Sequence, residues 1–287
     1  MYNIRKIVIA IICLLTNGLA FAQKQPKEPF VDPKWTQECE PFRVAGNVYY
    51  VGSYDLGCYL ITTPKGHILI NTGVAASMPM LRSHIEKLGF KLSDIKILLV
   101  SQVHYDHVGT MAEMKKITGA KLMVQQADAQ VMADGGASDY LYSELAPLFA
   151  PVKPDRILQN NDVVELGGVK LTVLHHPGHT KGSCSYALTV KDGPKQYKVL
   201  IANMPSVIVE DKMSEVHTYP GMEKDYTYTF AAMKALKFDL WVAAHASQFG
   251  LHNKRRPGDS YNPEAFRDQQ GYLDKLSELE KHFREMK

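Results

Sequence analysis

Cysteine is scarce in this chain of 287 residues, with four in all, and one of them, Cys13, lies in an apolar N-terminal segment that reads as removable. Disulfide staples are not needed at this length, because a chain of this size buries roughly three quarters of the surface its unfolded form exposes. Cys39, Cys58 and Cys184 are left. In an oxidising compartment that odd number allows at most one bridge and leaves a free thiol; Cys39 with Cys58 is the expected pair. Ile12 stands where lipoprotein processing wants a small residue, so no lipid anchor is expected. Long apolar runs are also missing. No stretch approaches the roughly 18 uninterrupted apolar residues of a membrane-crossing helix, which sets the membrane aside as a partner. An excess of one charge is lacking too: 33 Lys and Arg face 30 Asp and Glu. That near-balance argues against nucleic acid or an anionic membrane surface as partner. There is no repeat of fixed period and no low-complexity tract. No Gly-x-Ser-x-Gly elbow occurs, so serine nucleophile chemistry of that kind has no support.

What is present begins with an export pattern. Arg5 and Lys6 precede an apolar run from Ile7 to Leu15, and Ala20-Phe21-Ala22 has the small-x-small form of a signal-peptidase site. Residues 1–22 are therefore expected to be removed, taking the formal charge from +3 to +1 and leaving residues 23–287 as one soluble domain, exported to the periplasm and monomeric.

Short β-rich runs separated by Gly and Pro predict antiparallel strands at 48–51, 58–62 and 67–70. Apolar residues at helical spacing predict a helix over 78–88 that Gly89 ends, and the unbroken apolar run at 95–100 predicts a strand buried on both faces. A helix near 111–118, a strand at 121–124 and a further helix after Gln125 follow. Residues 132–154, with Gly135-Gly136 and three prolines, predict a covering loop able to act as a lid over a site. Strands at 169–174, 186–190, 199–202 and 240–243 and helices near 224–236 and 263–286 complete one α/β domain.

Histidine placement carries the chemistry. Three separate segments at expected strand ends hold His104 and His107, then His175, His176 and His179, then His245. Strand ends are where α/β folds put their sites. In Gln102-Val103-His104-Tyr105-Asp106-His107, side chains two apart point to one side of an extended segment, and the adjoining Asp and His can turn to a second point nearby. Two metal positions become possible. Imidazole nitrogens with a carboxylate oxygen suit zinc, which in catalytic sites keeps a position open for water.

With its His-x-Asp-His core, this segment resembles the metal motif of the metallo-β-lactamase superfamily, with Gln102 where the family pattern has His. Pro177-Gly178-His179-Thr180-Lys181-Gly182-Ser183 resembles the second metal loop and Ala243-Ala244-His245-Ala246 the last, in the right order across most of the chain. More narrowly, the chain is similar to class B β-lactamases of the third subclass, particularly the GOB-like group, which shares the glutamine. Residues 200–207 and 241–249 also resemble that group.

The resemblance implies an αββα sandwich with a di-zinc cleft at one edge. Gln102, His104 and His179 would form a first zinc site, and Asp106, His107 and His245 a second. A neutral amide is a poorer zinc ligand than imidazole, so the second site should be the more firmly filled. Many relatives place a bridging Asp after the strand that here ends Leu200-Ile201-Ala202, where this chain has Asn203-Met204. Ser206 falls where the third subclass binds the carboxylate of a β-lactam. Asp106 would both ligate zinc and orient the attacking water. His175 and His176 are expected to be packing residues or to orient the ligands beside them, and Asn71 to support the first metal segment by hydrogen bonding. The implied activity is zinc-dependent hydrolysis of the β-lactam ring of penicillins, cephalosporins and carbapenems, conferring resistance. Its rivals are a lactonase or thioesterase of the same fold, and an exported metal-binding protein without catalysis.

Overall fold

The computed structural model describes residues 25–287, so the expected signal segment 1–22 and Cys13 lie outside the described residues. Twelve strands form two sheets. The first runs in chain order through β1 (Phe42–Ala45), β2 (Val48–Tyr50), β3 (Tyr59–Thr63), β4 (Gly66–Ile70), β5 (Ile95–Leu99), β6 (Lys121–Gln125) and β7 (Arg156–Leu158). The second has the order β12 (Leu240–Ala243), β11 (Lys195–Ala202), β10 (Cys184–Asp192), β9 (Val169–His175), β8 (Val163–Leu166). Pairing is antiparallel from β1 to β4 and parallel from β4 to β7. In the second sheet only β11 and β12 are parallel. The helices are α1 (Pro33–Thr36), α2 (Met78–Lys87), α3 (Tyr105–Val108), α4 (Met111–Thr118), α5 (Ala129–Asp134), α6 (Met222–Lys234), α7 (Leu251–Lys254) and α8 (Gln269–Glu285).

Alternation along the strands explains the layers, since successive side chains leave a strand on opposite faces. Tyr59, Ile61, Ile68 and Ile70 face a core shared with Val173, Tyr186 and Ile201 of the second sheet. Leu60 and Leu69, the residues between them, join Leu81, Ile85, Met111 and Met114 of α2 and α4 on the other face. Beyond the second sheet, α6 and α8 pack through Tyr226, Phe230 and Phe283, with ring centroids 5.4 and 5.5 Å apart. Trp241 of β12 meets Tyr272 of α8 at 5.2 Å. The expected αββα sandwich is the fold observed.

The same alternation corrects the expected cysteine pair. Cys39, Cys58 and Cys184 are all free. Cys39 packs against the core between the sheets, while Cys58 is buried with the helices on the opposite face of the first sheet, so the two thiols sit in different layers. Three short strands, β1, β7 and β8, were not expected. The long C-terminal helix is broken: a 3-10 turn at Pro263–Phe266 precedes α8, which Asp268 caps by accepting from the Gly271 N–H at 2.9 Å.

Candidate metal centre

Strand direction gathers the site. β4 and β5 run parallel, as do β9, β11 and β12 through their pairings, so the segments after all five emerge at one edge of the sandwich. There the sheets are tied together: the Gly57 N–H donates to Ala244 O at 2.8 Å and the Cys184 N–H to Ser101 O at 2.7 Å. Asn71, at the end of β4, adopts φ 62, a left-handed conformation that asparagine tolerates better than most residues. Its Oδ1 accepts from the Ser101 N–H and hydroxyl at 2.9 and 3.1 Å, and its Nδ2 donates to Gly57 O at 3.2 Å. Asn71 thus fixes the start of the segment that carries Gln102 to His107, the supporting role expected of it.

Asp106, His107 and His245 come together, with one ligand atom from each lying within 4.8 Å of the others. Asp106 Oδ2 is 3.0 Å from His107 Nε2 and 3.4 Å from His245 Nε2. On its far side His245 Nδ1 faces Asp55 Oδ2 at 3.0 Å, and Asp55 also accepts from the Ser247 N–H. Burial opposes charge on His245, yet its hydrogen bonds to Asp106 and Asp55 lift its pKa to about 9. Burial likewise penalises the Asp106 carboxylate, but His107 and His245 hold its pKa well below the ordinary value. His107 Nδ1 is buried without a hydrogen-bond partner, and Nε2 has only its contact with Asp106.

His104 and His179 form a second meeting point, with Nδ1 of the former 3.2 Å from Nε2 of the latter. The far nitrogen of His179 faces the carbonyl of Ser206 at 2.7 Å. A carbonyl only accepts, so Nδ1 carries the proton and Nε2 presents a lone pair. Gln102 is buried, and its Oε1 accepts from Asn203 Nδ2 at 3.2 Å. Asn203 Nδ2 also donates to Ser101 O at 3.3 Å, which fixes the orientation of that amide. Ser206 Oγ lies 3.1 Å from His179 Nδ1 and also lines the cleft. His175 Nε2 contacts Lys181 O at 2.9 Å and His176 Nδ1 contacts Ser185 Oγ at 2.8 Å, the first tying β9 to the loop and the second tying the loop to β10.

Three carboxylates here were not anticipated from sequence: Asp55, Asp128 and Asp139. Asp128, fully buried, accepts from the Val103 N–H at 3.0 Å, the Thr180 hydroxyl at 2.6 Å and the Gly182 N–H at 2.7 Å, joining the two histidine loops. Burial raises its carboxyl pKa against the pull of those bonds. A Cβ on Gly182 would stand 2.5 Å from the Asp128 carboxyl carbon, so this approach needs glycine. Asp128→Ala would strand three donors. It is expected to cost about 3 kcal/mol and to lower the melting temperature by roughly 6 °C. Thermal unfolding followed by circular dichroism checks this; an unchanged midpoint would mean the donors find other partners.

Above the donors lies a cleft of about 290 Å³, walled by Trp35, Tyr105, Tyr142 and Ile208. A larger hollow of about 400 Å³ beside Arg43 and Lys254 offers less, since those cations are already paired with Asp192 and Asp268. The 132–154 segment is fixed rather than loose. Its first residues end α5, the Tyr140 hydroxyl donates to His179 O at 2.9 Å, and Asp139 Oδ1 accepts from the Leu141 and Tyr142 N–H groups at 2.8 and 2.7 Å. The expected covering loop forms one wall of the site, through Tyr142.

The donor set fits divalent cations. Orphaned imidazole nitrogens, two more imidazole nitrogens 3.2 Å apart and several buried carboxylates in one place are costly without positive charge among them.

Comparison with known proteins gives the relatives of this arrangement. Residues 58–192 match the model of the metallo-beta-lactamase superfamily. The structure is similar to the metallo-beta-lactamase GOB-18 from Elizabethkingia meningoseptica, with 53% identity over 92% of this chain and 98% of that one and a TM-score of 0.91. It is similar to the class B3 di-zinc metallo-beta-lactamase LRA-12 from an Alaskan soil metagenome, with 55% identity over 91% and 99% and a TM-score of 0.90. Among curated relatives, a hydroxyacylglutathione hydrolase of Rhodopseudomonas palustris (strain BisB5) is 32% identical over 45% of this chain and 41% of its own length. An uncharacterized protein of Aquifex aeolicus is 27% identical over 47% of this chain and 60% of its own length. The chain spans about half the length of these curated relatives.

Proposed function

Because the chain belongs to the metallo-β-lactamase superfamily, we propose that it is a zinc-dependent hydrolase that opens the β-lactam ring of penicillins, cephalosporins and carbapenems and so confers antibiotic resistance. The observation that carries this reading is the convergence of Asp106, His107 and His245 beside His104 and His179, on a chain more than half identical along nearly its whole length to metallo-β-lactamases. Gln102, His104 and His179 would hold one zinc, and Asp106, His107 and His245 the other. Bound there, zinc supplies Lewis acidity and lowers the pKa of water toward about 7.

The chain's own residues do the rest. Asp106 offers a carboxylate oxygen to the cleft to orient water, and its low pKa keeps that oxygen ionised. Asp55 accepts the Nδ1 proton of His245 and so turns its Nε2 toward Asp106. Trp35, Tyr105 and Tyr142 line the cleft with aromatic surface on which the apolar part of a substrate can rest. Ser206 holds His179 by its backbone carbonyl, which leaves its hydroxyl proton free to be donated to the carboxylate of a substrate.

That division of labour makes Ser206→Ala informative, because the variant keeps the carbonyl. Its KM for several β-lactams should rise about tenfold, the worth of one hydrogen bond to a charged group, with kcat changed much less. An unchanged KM would return Ser206 to a positioning role alone.

Export to the periplasm is supported by the sequence pattern of residues 1–22, and action as a monomer by a site built wholly from one chain. No helix among the described residues is long and apolar enough to cross a membrane. Rates of purified protein on a penicillin, a cephalosporin, a carbapenem, a lactone and a thioester, with and without a zinc chelator, test the reading. Chelator-sensitive β-lactam turnover supports it. Faster turnover of the lactone or thioester would assign the site to a rival hydrolase, and no turnover of any substrate would make the protein a metal binder.

A further inference from the structure

His104 Nε2, the nitrogen pointing away from His179, is buried and has no hydrogen-bond partner among the described residues. It faces Asp139 Oδ2 at 3.4 Å, long for a hydrogen bond but with both side chains almost wholly buried. The other oxygen of Asp139 is committed to the Leu141 and Tyr142 N–H groups. Oδ2 is therefore left to His104.

We infer that Asp139 is the positioning residue of the first zinc site: it accepts the Nε2 proton of His104, holds Nδ1 as a lone pair toward His179, and supplies the negative charge that the neutral Gln102, His104 and His179 lack. The inference rests on the two-zinc reading. Its chemistry follows from proton placement. His179 carries its proton on Nδ1 toward Ser206 O, so its Nε2 lone pair already faces His104. With the His104 proton drawn to Nε2 by Asp139, two lone pairs converge, which is what a cation requires and what either tautomer error would spoil. Asp139 also lies on the wall segment, so the same carboxylate ties that segment's turn to the metal site.

Two substitutions separate this role from a structural one. In Asp139→Asn the amide oxygen must keep the Leu141 and Tyr142 N–H groups, because an NH2 group cannot accept. The NH2 then faces His104 Nε2 and donates to it, which forces the proton onto Nδ1, where it points at the metal position. In Asp139→Ala the tautomer is unforced, but the two backbone donors lose their cap. Positioning thus predicts that Asn harms zinc binding more than Ala, although Ala harms stability more; a merely structural role predicts that Ala is worse in both.

The experiment is competition between the full chain and a chromophoric chelator for zinc, resolved into two steps, with melting temperatures measured alongside. For Asp139→Asn the weaker step should fall 10- to 100-fold in affinity, the usual cost of losing an outer partner of a metal ligand, while the stronger step stays within about twofold. Asp139→Ala should lose less affinity at the weaker step and melt lower than Asn. In the zinc-loaded parent, long-range ¹⁵N–¹H spectra should put the His104 proton on Nε2. Parent-like affinity in Asp139→Asn, or a larger zinc defect in Ala than in Asn, would overturn the role of Asp139 while leaving two zinc sites intact. A parent that takes up only one zinc at saturation would overturn the two-zinc reading and this inference with it.

Discussion

Asp106→Ala and His245→Ala, purified folded and supplied with zinc, are expected to hydrolyse β-lactams at least about 100-fold more slowly than the parent, because losing even an outer partner of a metal ligand costs 10- to 100-fold and these are proposed ligands themselves. The two variants should fail for different reasons. Asp106 loses both a donor and the oxygen that orients water, so kcat and kcat/KM should fall together, the mark of an interaction made only in the transition state. His245 loses a donor and leaves the Asp55 carboxylate facing an emptied position, with the Ser247 N–H as its remaining bond in that pair of contacts. His245→Ala should therefore also lose zinc. Steady-state rates and zinc content on the same samples check both, with circular dichroism to confirm folding. Near-parent rates in either folded, zinc-replete variant would remove that residue from the proposed site.

The histidines were legible because their positions follow from chain direction. Each of the three segments comes directly after a strand, and parallel strands must deliver their C-terminal ends to one edge. The carboxylates that hold those histidines had no such signature. Asp55 and Asp139 lie in loops and Asp128 at a short 3-10 turn, each at a sequence distance from its partner that no periodicity relates: 190 residues separate Asp55 from His245, and 52 separate Asp128 from Thr180. Only the folded chain brings them together. The cysteine pairing failed for a related reason, since what keeps Cys39 and Cys58 apart is which face of a sheet each one packs on. The unexpected strands β1, β7 and β8 have three or four residues each, too few for alternation to stand out. The wall segment reads as loose because it has little periodicity, yet its order comes from bonds to the site, through Tyr140 and Asp139, that composition does not reveal.

Gln102 is where this chain departs from the superfamily motif, and there the largest change in metal content is expected. The Gln102 amide oxygen already gives one lone pair to Asn203 Nδ2, whose orientation is locked by Ser101 O. What remains for a metal is the second lone pair of a neutral amide, a weaker donor to zinc than an imidazole nitrogen. Exhaustive dialysis should then strip zinc from the Gln102, His104 and His179 site first and leave about one per chain. Gln102→His should restore an imidazole, keep the Asn203 bond to Ser101 O, and raise the retained zinc toward about two. Activity is the poorer readout, because a second zinc adds a Lewis acid while drawing water away from Asp106. Metal analysis after dialysis decides the matter: if the natural chain keeps two zincs and Gln102→His changes nothing, the amide is not the weak point. The negative charge of Asp139 behind His104 would then be the first place to look for the strength of that site.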